Sequence, residues 1–269
     1  MGLGQLVLWS RLHGKKVVYS IANDVDCVQE LPALKPLRER LLYKYGLMNC
    51  DRIVCQTEKQ KNLLRDEFGL DARVIRMPCA GFEKTTEQNY TDVNNNRKHI
   101  LWAGRFTPEK RLEYFLELAK HFPEMIFDVI GDYNFERDTS YADRMKEIAE
   151  PLKNVVLHGR VPHEKMGEYF NRSYLLCSTS LYEGFPNIYL EAWSVGLPLV
   201  TTFDPDGVVK RYGMGRTATD VGSLQDALKE LMVETIWNET RARAKSYYLN
   251  NHTVDASMHE FEKEVTSFV

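Results

Sequence analysis

Short apolar runs alternate with helix-patterned segments along this chain, and that alternation limits the folds open to it more than any other feature. Lys16 to Ala22, Arg52 to Gln56 and Arg73 to Met77 read as strands, with Leu37 to Leu47 and Glu58 to Phe68 as helices between them. Residues Cys79 to Asn96 then turn polar and lead into Asp92-Val-Asn-Asn-Asn-Arg97, which lacks any apolar period and reads as a linker. Strands follow near Ile100, Ile126, Val155, Leu175 and Leu199, interleaved with helices near Leu112, Met145, Met166, Tyr189 and Leu228; the tail from Trp237 to Val269 reads as helical. Parallel strands need long crossover connections, usually helices, so this order predicts an α/β chain with parallel sheets. The expected division is an α/β domain at 1–80, a linker at 81–97, a complete doubly wound, Rossmann-like domain at 98–235, and C-terminal helices at 236–269. No internal repeat or low-complexity tract interrupts it.

Within that frame, Glu183-Gly-Phe-Pro-Asn-Ile-Tyr-Leu-Glu191 places two carboxylates around a glycine and a proline, after the strand-like run Tyr174 to Ser180. Pro186 has no amide hydrogen to leave unpaired and suits a first helical turn, so a helix is expected to begin near Phe185. The unpaired N–H groups of that turn and the helix dipole favour a phosphate, and the carboxyl end of a strand is where open α/β sheets bind ligands. Glu183 would sit beside this site. Glu191, about two turns further on at roughly 3.6 residues per turn, could accept hydrogen bonds from sugar hydroxyls. Against this stands chance: with 38 acidic residues in 269, two glutamates eight positions apart arise easily on a solvated helix face.

A second junction lies upstream, where His99-Ile-Leu-Trp-Ala-Gly-Arg105 reads as a strand and Thr107-Pro-Glu-Lys-Arg111 opens the next helix. Thr107 is a candidate N-cap, and Pro108 a first-turn residue. Arg105 and Lys110 would flank that junction and could hold a diphosphate by charge-assisted hydrogen bonds. A lone basic pair on a solvated helix is the plainer alternative; its coincidence with the first motif tips the balance.

Five segments in order carry a resemblance to a known family: Ala103-Gly-Arg-Phe-Thr-Pro-Glu-Lys110, Val129-Ile-Gly-Asp132, Val156-Leu-His-Gly-Arg-Val161, Glu183-Gly-Phe-Pro-Asn187 and Glu191-Ala-Trp-Ser-Val-Gly-Leu-Pro198. Together they resemble the donor-binding half of the family 4 glycosyltransferases, retaining enzymes of the two-domain GT-B fold that take a sugar from a nucleotide sugar. The resemblance implies that Arg105 and Lys110 hold the donor diphosphate, Glu191 the ribose, and Glu183 with Gly184, Phe185, Pro186, Asn187 and Ile188 the donor sugar and phosphate. Gly104, Gly131, Asp132, Arg160 and Val161 would line the nucleotide side. Catalysis would fall to Arg105, Lys110 and Glu183, with no cofactor and no metal, the UDP- or GDP-sugar being a substrate. The acceptor would be a glycan or lipid-linked sugar. The tail helices of the family pack back toward the first domain, on the acceptor side.

Departures from the family pattern bear on the first domain. Only some 80 residues precede the linker, and the glycine-rich first loop has no counterpart, so roughly the first half of that domain is expected to be missing. After the first strand stands Asn23-Asp24 where many members carry a histidine and an aspartate, and Asp206-Gly-Val-Val-Lys-Arg211 lacks the glutamate of many relatives. Two other readings therefore stay beside the transferase: a nucleotide-sugar-binding half that needs a partner chain or oligomer or is inactive alone, and a GT-B-fold nucleotide-sugar epimerase.

Composition narrows the partners. A formal charge of −3 gives no support to a nucleic-acid-binding protein, and the basic run Arg38 to Lys44 reads as a solvated helix face. Cysteines at 27, 50, 55, 79 and 177 form no Cys-x-x-Cys pair and are expected to be reduced. With no signal-peptide pattern and no apolar run near ~20 residues, a cytoplasmic location is expected, with peripheral contact at the inner membrane face left to the resemblance. Asp24-Val-Asp26 and Asp204-Pro-Asp206 have metal-ligand spacing, but fifteen aspartates supply about one such pair by chance. Tyr182, Phe185 and Trp193 could stack on a ligand, though aromatics so placed more often pack.

Overall fold

A computed structural model describes residues 2–32, 34, 36–83, 98–132 and 139–266, so residues 84–97 of the expected linker lie outside the described residues. The chain divides into two compact units, Met1–Pro78 with Glu183–Phe185 and Val254–Val269, and Cys79–Tyr182 with Pro186–Thr253.

The first unit contains α1 (Leu3–Leu12), β1 (Val18–Ser20), α2 (Leu37–Asn49), β2 (Arg52–Cys55), α3 (Glu58–Phe68) and β3 (Arg73–Val74). Its three strands pair in parallel in the order β1-β2-β3. Thr57 starts α3: its Oγ1 accepts the N–H of Gln60 at 3.1 Å, satisfying one of the donors a helix start leaves open. Ile21, Leu47, Ile53, Cys55, Leu64 and Ala72 form the core beneath. Leu8, Trp9 and Leu12 of α1 and Leu37, Leu41 and Met48 of α2 are exposed.

The second unit begins with β4 (His99–Ala103), α4 (Leu112–Lys120), β5 (Ile126–Ile130), α5 (Ser140–Ala149), β6 (Val155–Gly159), α6 (His163–Arg172) and β7 (Leu175–Ser178). It continues through α7 (Asn187–Ser194), β8 (Leu199–Thr201), α8 (Val208–Tyr212), β9 (Gly215–Thr217), α9 (Val221–Leu231) and α10 (Glu234–Asn251). Its six strands are all parallel, in the order β6-β5-β4-β7-β8-β9. Strands β7 and β8 are buried throughout, which explains their unbroken apolar runs: helices cover both faces of a parallel sheet. Helix α4 buries Leu112, Phe115, Leu116 and Ala119, the i, i+3, i+4, i+7 stripe of an amphipathic helix. These join Ile100, Phe127, Val129, Leu175, Leu224 and Leu228 in one core. Tyr174 stacks on Trp237 of α10 with ring centroids 4.6 Å apart. The last helix, α11 (Val254–Thr266), belongs to the first unit, where its Glu264 pairs with Arg73 at 2.9 Å.

Two local expectations are corrected. Thr107 makes no cap bond; Pro108–Lys110 forms a single 3-10 turn, and Arg111, at φ +46°, separates it from α4. Helix α7 begins at Asn187 rather than Phe185, because Pro186 takes an extended ψ of 119° and occupies the N-cap position. Among the described residues, no helix is long and apolar enough to cross a membrane.

Candidate functional site

The strand order reverses between β4 and β7, and such a switch point leaves a crevice at the carboxyl ends of the strands. Glycines form the floor on one side of it. The N–H of Gly104 donates to the carbonyl of Ile130 at 3.0 Å, that of Gly131 to Gly159 at 2.8 Å, and that of Phe106 to Asp132 at 3.2 Å. Gly131 has φ +130°, and a Cβ there would stand 1.8 Å from the carbonyl oxygen of Gly104, so only glycine fits. Gly104, Gly131 and Asp132 are thereby brought together at the ends of β4 and β5, and Arg160 and Val161 follow Gly159 at the end of β6. Arg105 and Arg160 are exposed, while Val161 is half-buried. The Asp132 carboxylate lies 3.1 Å from Nζ of Lys146.

Lys110 ends the 3-10 turn, and its carbonyl accepts the Thr179 hydroxyl at 2.7 Å; Trp102 Nε1 donates to that same hydroxyl at 3.0 Å. The next residue, to which no motif drew attention, fixes the turn. Arg111 donates from Nε to the carbonyl of Thr179 at 2.8 Å, and from Nη2 to the carbonyl of Ser180 at 3.2 Å and to Oγ1 of Thr202 at 2.7 Å. A planar guanidinium is the side chain suited to several directed bonds at once. The Leu181 N–H also donates to the carbonyl of Glu109 at 2.8 Å. The loop carrying Arg105 and Lys110 is thus bound to the segments that leave β7 and β8.

On the other side of the switch point, Pro186 precedes α7, Asn187 is exposed and Ile188 half-buried. Tyr189, fully buried, donates its hydroxyl to the carbonyl of Phe203 at 3.0 Å and lies 3.2 Å from Ser178 Oγ, which anchors the helix to the strands beneath. Glu191, one turn into α7, has its Oε1 2.9 Å from Nε2 of His163, a partner 28 positions away. Trp193 is buried and packs, whereas Tyr182 is exposed.

Glu183, Gly184 and Phe185 group with the first unit. Gly184 passes so close to Ala22 that a Cβ would lie 2.1 Å from its carbonyl oxygen. Phe185, expected to offer its N–H to a phosphate, instead donates it to Oε1 of Gln56 at 3.0 Å; the Gln56 N–H is in turn accepted by Gln60 Oε1 at 2.8 Å. No helix has begun at Phe185, so its amide is spent on a side-chain acceptor.

A cluster outside these motifs surrounds Asp128, 1% exposed on β5. His99 Nδ1 lies 2.6 Å from its Oδ2, while His158 Nε2 at 2.5 Å and Arg172 Nη2 at 2.8 Å meet Oδ1. Burial pushes the Asp128 carboxyl up, but the hydrogen bonds of His99 and His158 and the Arg172 charge outweigh it and hold it below the usual range. Asp204 caps α8, accepting the N–H groups of Val209 at 2.8 Å and Lys210 at 3.1 Å, and Asp24 pairs with Lys59 at 2.7 Å. The described residues hold no grouping of three or more His, Cys, Asp or Glu side chains with metal-site geometry.

A family model described as "Glycosyl transferases group 1" matches residues 83–248. The chain is 26% identical over 189 residues to the amylovoran biosynthesis glycosyltransferase AmsD of Erwinia amylovora, covering 66% of this chain and 50% of that protein. It is 25% identical over 263 residues to the alpha-galactosylglucosyldiacylglycerol synthase of Streptococcus pneumoniae, covering 93% of this chain and 64% of that one. It spans about half the length of the first curated relatives it matches, 50%, 41% and 54% of them. Among solved structures, Anabaena HepE in complex with UDP-glucose matches with a TM-score of 0.81 at 14% identity, covering 98% of this chain and 76% of that one. That likeness establishes a GT-B-like fold. With the family model matching more than half of its length, this chain belongs to the glycosyl transferases group 1.

Proposed function

We propose that the chain moves a sugar, with retention of anomeric configuration and without a metal, from a UDP- or GDP-sugar to a glycan or lipid-linked acceptor. The observation that carries the reading is the switch point: Arg105 and Lys110 follow β4, α7 follows β7, and the reversal of strand order falls between those two strands. Arg105 and Lys110 neutralise charge developing on the departing diphosphate, Glu191 accepts from the ribose, and Glu183 with Gly184 and Phe185 meets the donor sugar. Gly104, Gly131, Asp132, Arg160 and Val161 line the nucleotide side, and Pro186, Asn187 and Ile188 the start of α7. The close approach at Gly131 supports a backbone floor against which a nucleotide can lie. In the family mechanism the acceptor hydroxyl attacks from the face the diphosphate leaves, so stabilising the leaving group does most to lower the barrier, by about 3 kcal/mol for each donor present. The UDP-glucose in the HepE complex supports the donor class, and the name of the S. pneumoniae relative, a glycosyldiacylglycerol synthase, supports a lipid-linked acceptor.

Calorimetry with UDP and GDP tests this. The wild type should bind one of them, and R105A or K110A should weaken it by about a hundredfold; unchanged affinity in both variants overturns the assignment. An inverted product, or activity lost to EDTA, overturns the mechanism. A second reading is a nucleotide-sugar-binding half that works with a partner chain. Nucleotide binding without transfer by the isolated chain would select it.

A further inference from the structure

His163 opens α6 with its side chain 70% exposed, yet it is not loose. Its ring lies 5.2 Å from that of Phe82, which also packs on Phe170 at 5.5 Å. Phe82 is itself tied to α7: its N–H donates to Oγ of Ser194 at 2.9 Å, and that hydroxyl donates to the carbonyl of Glu191 at 2.6 Å. Gly167 makes room for the phenyl ring, because a Cβ there would come within 3.1 Å of it. A closed circuit results, from the Glu191 carbonyl through Ser194, Phe82 and His163 back to the Glu191 carboxylate.

From this circuit we infer that His163 is a positioning residue for ribose recognition, fixing the Glu191 carboxylate so that it discriminates a ribonucleotide from one lacking its 2′ and 3′ hydroxyls. The inference rests on the assignment of Glu191 to the ribose. A glutamate on a helix surface has several rotamers open to it, and ordering it on ligand arrival costs binding free energy. With its hydrogen on Nε2, the imidazole donates to Oε1 and selects one rotamer beforehand. Oε2 and the remaining lone pair of Oε1 then stay available, and a vicinal diol presents two O–H donors spaced to meet one carboxylate.

The test is calorimetry on the whole chain with UDP and GDP and with their 2′,3′-dideoxy counterparts, for the wild type, H163A and H163Q. H163A should weaken the ribonucleotide about fivefold and leave the dideoxy compound unchanged, and H163Q, which keeps an N–H donor, should recover most of the loss. Equal weakening of both ligands, or none of either, overturns the inference while the donor reading stands. A wild type that binds neither UDP nor GDP overturns both.

Discussion

The six-stranded sheet reverses its strand order between β4 and β7, whereas the three described strands of the smaller unit follow one another in chain order. Crossovers that diverge on either side of a reversal leave a crevice at the strand ends, so the larger sheet offers a binding site by topology alone. Its strand ends are correspondingly spare, with Gly104, Gly131 and Gly159 meeting backbone to backbone. No described strand pair of the smaller unit supplies such a crevice. There the carboxyl ends of β1 and β2 are organised by side chains, Thr57, Gln60 and Gln56, which bond to backbone amides and hold Phe185. One unit makes its surface from the absence of side chains, the other from polar ones.

Four substitutions would break or sharpen that contrast. The largest effect is expected for G131A, whose added carbon meets the Gly104 carbonyl: about 4 kcal/mol of stability should be lost, read as a fall in the denaturant midpoint, and wild-type stability would show that the glycine floor is dispensable. D128N should cost about 3 kcal/mol, because it removes the buried negative charge that faces Arg172 and the two histidines and replaces one of its two acceptor oxygens with an NH2 donor. Because the folded carboxyl is held below its ordinary value of 3.8, its contribution is present above that value and lost as pH falls through the lower folded value. Wild-type stability should therefore drop as the pH falls below that ordinary value, and D128N should flatten that part of the profile; an unchanged slope would mean that Asp128 does not cause the acid loss. In the smaller unit, Q56L takes away the acceptor of the Phe185 N–H, with a cost of about 1–2 kcal/mol and faster hydrogen exchange at that amide as the expected readout; retained protection would mean another acceptor holds the loop. Smallest is T57A, which removes the α3 cap at about 1 kcal/mol, seen as a lowered Tm.

Legibility in the sequence followed the range of the interactions. Strand β4 was readable because Ile100 to Ala103 is apolar and followed by glycine, and α3 because Thr57 caps it within three residues. The start of α7 was misplaced because a proline serves as well before a helix as in its first turn, and only ψ tells which. Edge strand β9, three residues including a glycine, carries too little pattern to be seen, and α1 begins behind Gly2, which has no side chain to cap with. Arg105, Lys110 and Glu191 stood out through local motif spacing. Arg111 did not: a left-handed arginine has no local signature, and its acceptors lie at 179, 180 and 202. His163 and the partners of Asp128 were hidden for a related reason: Glu191 lies 28 positions from His163, and the Asp128 cluster depends on the register of β4, β5 and β6.

Arg111 also sets a constraint on how this loop can drift. A positive φ at a residue other than glycine is costly and persists where the surroundings over-determine it; here three acceptors do so. Glycine would ease the backbone but abandon all three, and lysine would keep the charge while losing the fork. Neither single step preserves both the turn and its attachment, so descendants of this chain are confined to arginine at 111 unless Thr179, Ser180 and Thr202 are remodelled in concert.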